Sequence, residues 1–103
     1  MLGQTRTKEQ MFQDLLNKFE AMKQTDSTLQ TLSFNYTSNI FTVMDRSIGD
    51  FFTAEITCNG DSFSTAFYYK GNSYSWLEEV SLDETIWYVI DEIHAVRIYE
   101  EVE

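Results

Sequence analysis

Three observations predict an α+β fold: a helical apolar stripe near the start, a central stretch whose apolar residues recur every second position, and a second helical stripe near the end. The expected architecture is an N-terminal helix, a roughly five-stranded antiparallel meander sheet and a C-terminal helix. Both helices should cover one sheet face. A length of 103 residues suits a single domain spanning 1–103. Hydrophobic residues at 43% and aromatics at 16% supply a core without staples.

The first helix is expected over 8–23. Met11, Phe12, Leu15, Leu16, Phe19 and Met22 recur at three-to-four-residue spacing. Thr7 with Gln10 matches a capping box. "TDST" at 25–28 ends the helix, because such side chains compete for backbone hydrogen bonds.

The strands come next. From Leu29 the period becomes two, with Leu32, Phe34 and Tyr36 on one face. "SN" at 38–39 turns the chain into a second strand, Ile40 to Met44. "DRSIGD" at 45–50 reads as a loop, and Phe51 to Cys58 as the third strand. "NG" at 59–60 is the strongest hairpin signal, leading to a strand from Asp61 to Tyr69. "GN" at 71–72 leads to the last, Ser73 to Val80.

Taking Asn59–Gly60 and Gly71–Asn72 as two-residue loops sets a register. Cys58 then faces Asp61, Ile56 faces Phe63, Ala54 faces Thr65 and Phe52 faces Phe67. In the second hairpin Tyr69 faces Tyr74, Phe67 faces Trp76 and Phe63 faces Val80. The apolar side chains then share one face, and a one-residue slip would expose them all. Glu78, opposite Thr65, sits awkwardly on that face. Tyr68, Leu77 and Phe51 fall on the back face.

The C-terminal helix should start after Ser81, which forms a second capping box with Glu84. Ile86, Val89, Ile90 and Ile93 make its stripe. Glu100, Glu101 and Glu103 would oppose the helix dipole by about 0.3–1 kcal/mol each. The helix is therefore expected to stop near His94, with 95–99 as a short strand or irregular tail. The expected core comprises Phe12, Leu15, Leu16, Phe19, Phe34, Phe52, Ile56, Phe63, Phe67, Trp76, Ile86, Ile90 and Ile93.

Charge is the strongest functional signal. The net is −10 and unevenly placed. Residues 1–24 set Arg6, Lys8, Lys18 and Lys23 against Glu9, Asp14 and Glu20, whereas Trp76 to Glu103 holds nine carboxylates and only Arg97. This sign disfavours direct nucleic-acid binding and anionic membranes. No apolar run reaches the ~18 residues of a membrane span. The opening "MLGQTRTKEQMFQDLL" reads as a polar helix start rather than a leader. With one cysteine, a cytoplasmic location is expected.

The inventory argues against chemistry. Cys58 reads as a small apolar strand residue with no cation to activate it. His94 reads as a capping or surface residue. Two Cys and His in all are too few for a structural zinc, and "DRSIGD" lacks calcium-loop spacing. Adjacent Glu78 and Glu79 on a strand point apart, and Asp91 and Glu92 lie outside the helix stripe, so neither makes a glycosidase pair. Tyr68, Tyr69, Tyr74 and Trp76 could stack bases, but only Lys70 accompanies them. No enzyme activity, cofactor or metal is expected.

What remains is a binding protein. The leading expectation is an inhibitor or immunity-type protein whose carboxylates occlude a basic, nucleic-acid-handling surface of a partner protein, in the manner of a DNA mimic. The candidate partner-binding residues are Glu78, Glu79, Asp83, Glu84, Asp91, Glu92, Glu100, Glu101 and Tyr68. The alternative is an adaptor or structural subunit, monomer or homodimer, that uses its bare sheet face, with acidity serving solubility. A weaker third reading is a small-ligand binder with a pocket between sheet and helix.

Overall fold

The computed structural model describes residues 7–37, 39–48 and 52–102. Readings that fall on residues 1–6, Arg6 included, and on Ser38, Gly49, Asp50, Phe51 and Glu103 lie outside these. The element order is α1 (Lys8–Thr25), β1 (Leu32–Tyr36), β2 (Phe41–Asp45), β3 (Phe52–Asn59), β4 (Ser62–Tyr69), β5 (Asn72–Val80) and α2 (Leu82–Val102). Single 3₁₀ turns follow α1 at Ser27–Leu29 and β2 at Arg46–Ile48. The strands form one antiparallel sheet in the order β1-β2-β3-β4-β5. The fold is α+β, as the periodicities predict.

Both capping boxes form. The Gln10 N–H donates to Thr7 Oγ1 at 3.1 Å, and the Thr7 N–H donates to Gln10 Oε1 at 2.9 Å. At the start of α2 the Glu84 N–H donates to Ser81 Oγ and the Ser81 N–H to Glu84 Oε1, both at 3.2 Å. Reciprocal bonds of this kind satisfy donors that a helix start leaves without intrahelical partners.

The core lies between the two helices and one face of the sheet. Phe12, Leu15 and Phe19 of α1 meet Phe41, Val43, Phe52, Ala54, Ile56, Phe63 and Phe67 of the sheet and Ile86, Val89 and Ile93 of α2. Phe19 stacks on Phe34 at 5.0 Å and on Phe41 at 6.0 Å. Each fully buried Phe contributes about 1.5–3 kcal/mol relative to exposure. Leu16, Phe34 and Ile90 are only partly buried, at the rim of the same cluster.

The register differs from the expected one in an instructive way. Asn59 pairs with Ser62, so the first hairpin turns on Gly60 and Asp61. Only Gly60 of these two takes a positive φ, of 67°. That suits a loop with glycine first. Ile56 therefore faces Thr65, Ala54 faces Phe67 and Phe52 faces Tyr69. The shift is two residues, so each side chain keeps its expected face.

The second hairpin turns on Lys70 and Gly71, both at positive φ (54° and 81°), the requirement of a type I′ turn. Tyr68 pairs with Ser73 but Phe67 pairs with Ser75, which leaves Tyr74 as an extra residue. This bulge inverts the strand beyond it. Trp76 lands opposite Ala66 on the bare face and is 68% exposed, not in the core. Leu77 faces Thr65 and packs partly against the core instead of on the back face. A second irregularity sets Glu78 and Glu79 against Ser64 and restores the expected Phe63–Val80 pair. Glu79 takes φ 55° there, and its N–H donates to Ser64 Oγ at 3.3 Å. Glu78 is thereby exposed, so it does not sit on the apolar face.

Finally, α2 does not stop near His94 but runs to Val102. Val96 continues the buried stripe, and Arg97 is anchored to Asp45 and Thr28. Tyr99 meets Tyr69 edge-on at 5.9 Å, and Tyr69 donates its hydroxyl to Glu100. These contacts outweigh a dipole penalty of a few tenths to about 1 kcal/mol per glutamate. His94 is therefore a mid-helix residue rather than a cap. Its Nε2 lies 3.4 Å from Thr28 Oγ1.

Candidate functional site

The surface with most to offer a partner is the outer side of α2. At 3.6 residues per turn, Trp87, Asp91 and Ile98 fall on one line opposite the buried Val89, Ile93 and Val96. Trp87 is 62% exposed and Ile98 63%. Tyr88, half-exposed, flanks this line and meets Trp87 edge-on at 5.3 Å. Exposed Glu84 and Glu101 also lie along it. Large apolar side chains thus alternate with carboxylates on a rigid helix about 30 Å long.

The nine predicted partner-binding residues divide among four places. Asp91 and Glu101 lie on the outer line of α2, which Glu84 joins at its start. Glu79, Asp83 and Glu84 cluster where β5 passes into α2. Asp83 there forms an ion pair with Lys18 of α1 at 3.2 Å, and Glu84 serves the capping box. Glu92 and Glu100 turn toward the β4–β5 hairpin, where Tyr74 donates to Glu92 Oε1 at 2.9 Å and Tyr69 donates to Glu100. Glu78 and half-buried Tyr68 belong to the helix-free sheet face. Glu78 lines a shallow hollow of about 430 Å³ there with Glu55, Ala66 and Trp76.

Trp87, Tyr88, Ile98 and Trp76 were not among the residues sequence reasoning selected for partner binding. Trp87 and Tyr88 lie off the stripe of Ile86, Val89, Ile90 and Ile93, which is the signal that places them outside, and for Ile98 that signal is the continuation of the helical period past Ile93 to Val96. For Trp76 no local signal exists, because the Tyr74 bulge decides its face.

The groups considered for chemistry are structurally engaged. Cys58 is buried, and that burial pushes its thiol pKa up, away from the reactive thiolate. Burial and the neighbouring Glu92 carboxylate both push the Tyr74 phenol up. Asp45 is fully buried and accepts from Thr31 Oγ1, Ser47 Oγ, the Ser47 N–H and Arg97 Nε at 2.7–2.9 Å. Among the described residues no group of three or more His, Cys, Asp or Glu converges as a metal site, and no helix is long and apolar enough to cross a membrane. No family model, curated protein or solved structure matches this chain.

Proposed function

We propose that this chain is a small acidic binding protein of the inhibitor or immunity type, which occludes a basic surface of a partner protein. The observation that carries this reading is the line of Trp87, Asp91 and Ile98 on the outer side of α2. Tryptophan, with tyrosine and arginine, is enriched among the residues that anchor protein interfaces. Carboxylates beside them steer a basic partner and reject an acidic one. A net charge of −10 strengthens that steering. A partner that holds nucleic acid with Lys and Arg fits this chemistry. The reading is of a cytoplasmic protein without catalysis, supported by a lone, buried cysteine.

A second reading rests on Trp76. With Tyr68 and Met44 it gives the helix-free sheet face an apolar area suited to a structural partner or a second copy. One experiment separates the two. Affinity capture from a cell extract at low and high salt would compare the natural chain with Trp87→Ala, Asp91→Lys and Trp76→Ala. The α2 reading expects a basic protein retained at low salt, released at high salt and lost in both α2 variants. Salt-insensitive retention or self-association lost only in Trp76→Ala would replace it with the sheet-face reading.

A further inference from the structure

We infer that the tyrosine-lined cleft between the β4–β5 hairpin and the second half of α2 receives a single lysine side chain of the partner. The inference rests on the reading above that the partner is basic. The cleft holds about 210 Å³ and is lined by Tyr69, Tyr74, Glu92, Ala95, Val96 and Tyr99. Its walls are mostly rings and small apolar side chains, which suit the four-carbon stem of a lysine. Its polar groups suit the ammonium. The Tyr74 hydroxyl donates to Glu92 and the Tyr69 hydroxyl to Glu100. With its proton directed at Glu92, the Tyr74 oxygen presents acceptor character beside a carboxylate. Such a site welcomes a cation and repels an anion.

The rings add to this preference. Tyr69 and Tyr99 stand edge to face at 5.9 Å, and the Phe67 and Tyr74 rings are 6.3 Å apart. Aromatic faces attract ammonium groups through their quadrupoles. Lys70 places its Nζ 5.4 Å from the Tyr69 ring centroid, within the range of such contacts. Arg97, the cation contributed by α2, is committed to Asp45, Thr28 and Thr31 rather than to the cleft's Glu92.

The test uses the intact protein and needs no identified partner. Nα-acetyl-lysinamide is titrated while the ring signals of Tyr69, Tyr74 and Tyr99 are followed by NMR. Nα-acetyl-norleucinamide, with the same stem and no charge, is the control. Saturable shifts with the lysine probe, absent with the control and weakened about tenfold in Glu92→Gln and in Tyr99→Ala, are expected. Equal shifts with both probes would mean an apolar hollow only, and no saturable shift with lysine would mean no cation site. Either result overturns the inference. Because the probe is a free amino-acid derivative, failure here leaves the capture experiment standing, and failure of capture leaves this titration readable.

Discussion

Arg97 donates its Nε–H to Oδ2 of Asp45 at 2.7 Å, across 52 residues of sequence. Asp45 is fully buried at the end of β2, and the Arg97 side chain is only 21% exposed in the second half of α2. The guanidinium also reaches the Thr28 carbonyl at 2.6 Å and Thr31 Oγ1 at 3.0 Å. One side chain therefore joins the C-terminal half of α2 to β2 and to the connection between α1 and β1. Its loss would strand a buried carboxylate.

Removing Arg97 is consequently expected to cost about 3–5 kcal/mol, because an uncompensated buried charge is the dominant penalty. Urea unfolding of Arg97→Met measures this. Adding Asp45→Asn to that variant should recover part of the loss, since the stranded charge is then gone. A loss below about 1 kcal/mol in Arg97→Met would show that the pair does not hold α2 to the sheet.

The same pair sets a pH dependence. Burial alone would raise the Asp45 pKa, but bonds from Arg97, Ser47 and Thr31 together hold it below the ordinary carboxylate value. A depressed folded pKa contributes stability that is present above the unfolded value and disappears as pH falls through the folded one. The Asp45 share should thus be complete above about pH 4 and fade below it. Unfolding free energies measured from neutral to strongly acid pH should fall less steeply in Asp45→Asn than in the natural chain. Parallel curves would contradict the assignment.

The β4–β5 register makes opposite forecasts for two aromatic residues. Phe67 is 2% exposed and Trp76 is 68% exposed. Phe67→Ala is expected to cost about 3–5 kcal/mol as a cavity in the core. Trp76→Ala should stay within about 0.5 kcal/mol of the natural chain. Thermal or urea unfolding of the two variants checks the Tyr74 bulge directly, since without it Trp76 would be the buried residue.

For the outer side of α2, Asp91→Lys with Glu101→Lys should leave stability nearly unchanged, because both side chains are exposed. Association with a basic partner should slow at least tenfold, with a smaller effect on dissociation. Raising salt to physiological strength, where the Debye length is about 8 Å, should slow the natural protein more than the variant. Stopped-flow or surface-based kinetics with the captured partner would measure both. Unchanged association would reduce the carboxylates of α2 to a solvated face.

Much of the fold was legible because its signals are local. Thr7 with Gln10 and Ser81 with Glu84 are three residues apart, and each pair caps the helix it announces. Alternation along 52–58 and 63–67 marks the buried face, and parity survives because a one-residue displacement of the turn shifts the pairing by two. Less of the candidate site was legible. The acidity of the last third of the chain is plain and Trp87 lies off the expected helical stripe, but the exposed Ile98 emerges only once α2 is known to continue past His94.

Although the buried Phe41 and Val43 of β2 are not among the expected core, the sequence by itself determined the number and order of elements, both helix starts and the inward face of β3 and β4. Those depend on preferences acting over two to four residues. Tertiary structure alone decided the bulge at Tyr74, the exposure of Trp76, the extension of α2 to Val102 and the burial of Asp45 with Arg97. Each of these is a competition between a small local cost and contacts with distant residues. A bulge gives up ladder pairing so that Tyr74 can reach Phe67 and Glu92, and the end of α2 accepts unfavourable glutamates because Val96, Arg97 and Tyr99 have partners in the sheet and its loops. Those partners lie tens of residues away, so their contribution enters only when the chain has folded around them.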